Sequence, residues 1–152
     1  MNELSSGNHL ANDILGTWWL LSREDFNHNG DKKIDPVLGA DPIAILVYAK
    51  DHFAAQFMKK DRTQESIIHP TTAGQNNTAA IGGYDAYFGT YKIDEATMLV
   101  SHTLIGSINP ANIGITVVRK LQVNNDQLVI QLDTTTPEGE AIIRTLTWKR
   151  IS

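Results

Sequence analysis

The chain has no cysteine among its 152 residues. Disulfides, thiolate metal sites and cysteine nucleophiles are therefore excluded. It has no excess of basic charge either: 13 Lys and Arg stand against 17 Asp and Glu, a formal net charge of −4. Nucleic acids and anionic membrane surfaces both call for a basic stripe, so neither is expected as a partner. Long apolar runs are absent. Stretches such as Ala44 to Ala49 fall far short of the ~20 residues that span a bilayer. The polar start (Asn2, Glu3, Ser5, Ser6, Asn8) lacks the basic and apolar blocks of an export signal, which makes the cytoplasm the simplest expected location. No Gly-rich loop opens a helix after a strand, and no Gly-x-Ser-x-Gly elbow occurs. None of His9, His28, His52, His69 and His102 forms an i, i+2 or i, i+4 ligand pair. We expect neither metal nor cofactor.

Convincing long helices are also lacking. Asn8 to Leu15 suits one short helix, with Leu10, Ile14 and Leu15 on one side. From Gly16 onward the chain reads as strands: Gly16 to Phe26, Ile43 to Ala49, Phe53 to Met58, Tyr84 to Ile93, Met98 to Ser107, Gly114 to Val123, Gln127 to Asp133 and Glu140 to Ile151. Turn chemistry separates them at Asn27 to Lys33, Asp94-Glu95, Asn124 to Asp126 and Pro137 to Gly139. About eight strands joined by short turns predict an all-β fold, an eight-stranded antiparallel up-and-down barrel occupying residues 1–152 as one domain. A barrel of this size leaves room for one small ligand. Lys59 to Gly83 is a long polar exception of the kind that serves as a functional lid or a mobile segment.

Strand periodicity is two, so alternation assigns faces. Met98, Val100, His102 and Leu104 share an apolar face. Ile115, Val117, Arg119, Leu121 and Val123 share the next, and Tyr87, Gly89, Tyr91 and Ile93 the one before. An imidazole, a guanidinium and phenols are thereby placed on inward faces of consecutive strands. A buried Arg needs a carboxylate, carbonyls, water or an anionic ligand. Blander accounts exist for each: His102 bonded to a backbone carbonyl, Tyr87 and Tyr91 as core fillers, and Arg119 stretched to the rim with its head in water.

Gly16-Thr17-Trp18 resembles the Gly-x-Trp signature of lipocalins, and Trp148-Lys149-Arg150 ends the last strand where that fold sets an Arg against the signature Trp. Further segments resemble the bacterial and fungal lipocalin-like domain family: Gly39 to Pro42, Leu46 to Tyr48, Gln56 to Met58 with Asp61-Arg62, and Ala86 to Tyr91. So do His102, Gly106-Ser107, Asn109-Pro110, Gly114 and Arg119. The resemblance runs from about Leu15 to Ile151 and implies a calycin-type barrel with an internal cavity, closed at one end by Trp18 and Arg150. Two departures stand out. The turn Ala49-Lys-Asp-His52 lacks the usual Gly, and Thr103 occupies a place where a second His is common, which weakens any two-His metal site or proton relay.

The expected ligand wall takes Tyr87, Tyr91, Val100, His102, Leu104, Val117 and Arg119 from the alternating faces, with Tyr48 and Gln56 from the resembling segments. Such a wall suits a small, largely apolar molecule with a polar or anionic end. The alternative is a cofactor-independent cyclase, isomerase or dehydratase, with His102 as general acid/base, Arg119 and Tyr91 as oxyanion stabilisers, and Asp85 or Glu24 as a carboxylate partner. Asp25-Phe-Asn27-His-Asn29-Gly30-Asp31 begins like a calcium loop, but Pro36 stands where the bidentate Glu belongs. A solvated connection accounts for it better.

Overall fold

The computed structural model describes residues 9–64 and 80–152. A short helix α1 (His9–Asp13) precedes strands β1 (Gly16–Asn27), β2 (Lys32–Lys33), β3 (Ile43–Tyr48), β4 (His52–Met58), β5 (Tyr84–Asp94), β6 (Leu99–Ser107), β7 (Thr116–Asn124), β8 (Gln127–Thr135) and β9 (Ala141–Arg150). Each of β3 to β8 pairs antiparallel with the next, β1 pairs with β3, and β1 also pairs with β9. That last pairing closes eight strands into a barrel. The two-residue β2 is appended beside Asp25 and Phe26, and nothing in its composition announced it.

Alternation explains most of the interior. Ala44, Leu46 and Tyr48 of β3, Phe53, Ala55 and Phe57 of β4, Leu128 and Ile130 of β8, and Ile142, Leu146 and Trp148 of β9 are all buried. Two bulges interrupt the pattern. Leu20 lies opposite Trp148 and Ser22 opposite Thr147, so Leu21 is an extra residue, 58% exposed. Trp18 and Leu20 point inward before it; Arg23 and Asp25 point inward after it. In β6, Gly106 faces Phe88 and Leu104 faces Gly89, which leaves Ile105 as the extra residue. Val100, His102 and Leu104 are inward before this bulge, and Ser107 reaches the cavity after it. Gly89 is required there, because a Cβ would sit 1.8 Å from the Thr103 carbonyl oxygen. Both bulges re-aim side chains toward the same end of the barrel.

Three boundaries differ from the sequence expectation. Met98 lies in the turn before β6 with a left-handed φ of 61°, so it is exposed and off the inward face. Gly114 and Ile115 precede β7, after a 3₁₀ turn at Pro110–Asn112 capped by the Asn109 side chain. The helix ends at Asp13, before Leu15, and Asn8 lies outside the described residues.

The opposite end of the barrel is shut. Trp18 is fully buried and donates Nε1–H to the Ile14 carbonyl at 2.8 Å. The Arg150 guanidinium stacks 4.3 Å above the Trp18 ring and donates to the carbonyls of Leu15 and Asp13. Glu95 accepts the backbone N–H groups of Leu10 and Ala11, fastening α1 across that end. Stacking contributes about 0.5–2 kcal/mol, and each carbonyl bond adds about 1 kcal/mol. Arg150→Ala is therefore expected to lower stability by about 2–4 kcal/mol in urea unfolding. Arg150→Lys should recover less than half, because one ammonium cannot stack and reach both carbonyls. A loss under about 0.5 kcal/mol for the alanine variant would contradict this account of the closure.

Candidate functional site

Between the closed end and the far rim lies a cavity of about 330 Å³. Phe53, Phe57, Leu104, Ile130, Leu146 and Trp148 supply its apolar wall. Tyr87, His102 and Arg119 add polar groups, and Arg23, Asp85, Ser107, Asn109 and Arg144 add more. This volume and mixture fall within the range of small-molecule sites.

The charges are unevenly matched. Arg144 grips Asp25 through two bonds, Nε to Oδ1 at 2.9 Å and Nη2 to Oδ2 at 3.1 Å. Arg23 reaches Asp35 at 3.3 Å and Asp25 at 4.0 Å. All four are buried. Burial lowers the Arg23 pKa, Arg144 adds to that, and Asp35 and Asp25 oppose it. Asp35 also accepts the N–H groups of Val37 and Leu38, which fixes the loop that brings Leu38 to the cavity. Two cations and two anions thus compensate one another, as a buried network requires.

Arg119 and Asp85 are left over. Arg119 donates Nη1–H to the carbonyl of its neighbour Val118 at 3.1 Å and has no ion pair among the described residues. Burial lowers its pKa, and Arg144 adds to this against Tyr87 and Tyr48. A guanidinium nevertheless stays charged in a protein. Asp85 is buried and likewise lacks an ion pair among the described residues. Burial pushes its carboxyl up to about 7, against the Ala86 N–H and the fields of Arg23 and Arg144.

His102 is 5% exposed and stacks on Phe53 with ring centres 4.2 Å apart. Its Nε2 lies 2.7 Å from the Tyr48 hydroxyl. Burial, and then Arg119, push its pKa down to about 3, so the ring is neutral. Burial holds the Tyr48 proton well above its ordinary range. Because that hydroxyl has no other acceptor among the described residues, we assign Tyr48 as donor to Nε2, which leaves the His102 proton on Nδ1. The Tyr87 hydroxyl is also raised, to about 12, by burial and by Asp85.

Of the residues the sequence singled out, Tyr87, His102, Leu104, Val117 and Arg119 line the cavity together. Tyr48 lies one layer behind His102. Val100 is wholly buried in the core and is no part of the wall. Tyr91 does not join His102 and Arg119 in the cavity. Its hydroxyl donates to the Ala49 carbonyl at 2.8 Å and its ring meets Tyr48 edge-on, deeper toward the closed end. Gln56 faces outward, because Phe53, Ala55 and Phe57 take the inward positions of β4, and it accepts from the Tyr84 hydroxyl. Glu24 is also outside, 4.0 Å from Lys32. The Lys59 to Gly83 stretch is described only up to residue 64 and from residue 80, so a lid over residues 65–79 lies outside the described residues. The Asp25 to Asp31 connection that begins like a calcium loop is closed on itself: Asn27 Oδ1 accepts the N–H groups of Asn29 and Asp31. Among the described residues no cluster of three or more His, Asp or Glu is placed to hold a metal ion. Among them too, no helix is long and apolar enough to cross a membrane.

Arg23, Arg144 and Trp148 are wall residues that sequence reasoning did not assign to the cavity. Arg144 sits in the plain alternation Ile142, Arg144, Leu146, Trp148, which was signal enough. Arg23 carried no such signal, since the Leu21 bulge reverses the alternation just before it.

A family model for the lipocalin-like domain matches residues 15–151. The chain belongs to the lipocalin-like domain family. Among solved structures this lipocalin-like chain is similar to Rv2717c from M. tuberculosis, at 10% identity and a TM-score of 0.42 over 99% of this chain and 100% of that one. No curated protein matches it.

The Asp85 shift sets a stability trend for this lipocalin-like barrel. An unfolded Asp titrates near 3.8, while the native carboxyl holds its proton to about 7. Between those values the native state binds more protons, so stability falls as pH rises through the window. Asp85→Asn stays neutral and should flatten that part of the profile. At pH 8 it should exceed the parent protein by at most about 4 kcal/mol. Urea midpoints at pH 5 and pH 8 decide the matter, and parallel profiles for the two proteins would contradict it.

Proposed function

We propose that this domain binds a small, largely apolar molecule with an anionic end inside its barrel. The observation that carries the reading is Arg119: a partly buried cation in the cavity wall, without a carboxylate partner among the described residues, in a protein that neutralises its other two cavity arginines. An oxyanion placed there restores what burial removes, with the neutral His102 Nδ1–H and the Tyr87 hydroxyl in the same wall as further donors. Apolar contact with Phe53, Phe57, Leu104, Ile130 and Leu146 supplies affinity at ~25 cal/mol per Å² buried, less the cost of immobilising the ligand.

Turnover is the second reading, and Asp85 favours it. A general acid or base works best with a pKa near the operating pH, and this carboxyl titrates at about 7 beside the cavity. His102 suits that role poorly at about 3, and the Tyr91 hydroxyl is committed to Ala49. A cofactor-independent isomerisation or cyclisation would therefore run through Asp85, with Arg119 stabilising the oxyanion.

Calorimetric titration with decanoate and decanol tests the binding reading. Replacing Arg119 by Gln should weaken decanoate by about ten- to a hundredfold and leave decanol nearly unchanged. Equal losses for both probes would reduce Arg119 to a packing role. Absence of decanoate binding to the parent protein would overturn the reading.

A further inference from the structure

The buried carboxyls of this protein are served unequally. Arg144 and Arg23 hold Asp25 and Asp35. Asp85 is 4% exposed and has no ion pair among the described residues. It takes an inward position of β5, opposite Phe57 of β4, and lines the cavity. Its hydrogen-bond partner among the described residues is the Ala86 N–H. A carboxyl offers about four acceptor sites, so one N–H leaves most of them open. The oxygen that Ala86 does not serve is not sealed in protein. Among the described residues the Trp148 indole nitrogen is the one side-chain N or O atom that lacks both a partner and accessible surface. Asp85 therefore presents acceptor surface to the cavity it lines.

Arg119 stands apart from this acceptor. The Tyr87 hydroxyl feels both Asp85 and Arg119, whereas the charges acting on Asp85 are those of Arg23, Asp35 and Arg144. Tyr87 thus lies between a cationic pole and an acceptor pole of one cavity. Water serves such a carboxyl in the free protein. A guest that displaces the water and brings no donor of its own loses affinity.

We propose that the ligand carries, besides the anionic end taken by Arg119, a hydroxyl group on its apolar body that donates to the Asp85 carboxyl. This rests on the anion-binding reading above and narrows it to hydroxy acids whose hydroxyl stands away from the carboxylate. The neighbouring charges select a hydroxyl over an ammonium group. Arg23 and Arg144 both act on Asp85, and their guanidinium groups repel a second cation but not a neutral O–H. A ketone oxygen brings no donor and leaves an ionised Asp85 unserved.

The test uses decanoate and the series of hydroxydecanoates with the hydroxyl at each carbon from the second to the tenth, titrated into the parent protein and into Asp85→Leu. At least one isomer beyond the 2-hydroxy acid should bind the parent about tenfold more tightly than decanoate. Asp85→Leu should bind that isomer and decanoate equally. The carboxyl ¹³C resonance of Asp85 in the parent protein gives a reading that does not depend on the variant folding. It should shift further with the preferred isomer than with decanoate. Decanoate binding with no hydroxy isomer ahead of it overturns this inference alone. So does an advantage confined to the 2-hydroxy acid, one that survives Asp85→Leu, or equal carboxyl shifts with both ligands. Failure of every acid, decanoate included, overturns the anion-binding reading and this inference with it.

Discussion

The pairing of β1 with β9 is the constraint on which the rest of the molecule depends. It turns an open meander into a closed barrel with Trp18 and Arg150 locked across one end. A closed barrel has a fixed interior, and what fills it is decided by which side chains each strand turns inward. The same pairing contains the slip at Leu21. Without that slip, β1 would continue to turn its even-numbered positions inward. With it, Arg23 and Asp25 enter the barrel, and Asp25 meets Arg144 from β9 across the seam. One irregularity in one ladder therefore builds the charged end of the cavity.

Electrostatic accounting then separates structure from function. Arg23, Arg144, Asp25 and Asp35 balance among themselves and hold the rim loop through Asp35. They serve the fold. Arg119 and Asp85 stand outside that balance, one charged and one holding its proton to about 7. His102 is tied to Tyr48 and stays neutral. An apolar lining beside a cation without a carboxylate partner among the described residues is what supports the proposed reading of a guest with an anionic end.

The fold was legible in the sequence because period-two alternation and turn residues act locally. Val117, Arg119 and Leu121 on one face of β7, and Val100, His102 and Leu104 on one face of β6, could be read directly. Depth could not. Alternation put Tyr91 on the same side of the sheet as His102 without saying that it sits lower, at the Ala49 carbonyl. Bulges were invisible for a related reason: an extra residue at Leu21 or Ile105 looks like any other strand residue until its partner strand is known. Gln56 was misplaced because family likeness marks a segment and does not choose a face. Arg144 was there to be read in its alternating strand, but its partner Asp25 was hidden by the bulge, so the compensated network could not be told from the free cation.

A crystal structure of the protein grown with a terminally brominated decanoate tests the central claim most directly, because bromine marks one end of the chain by its anomalous signal and the carboxylate marks the other. The account predicts the carboxylate within hydrogen-bond distance of Arg119 inside the barrel, and the bromine enclosed by cavity side chains. A barrel filled by its own aliphatic side chains, or bromine found only on the outer surface with Arg119 turned to solvent, would contradict it.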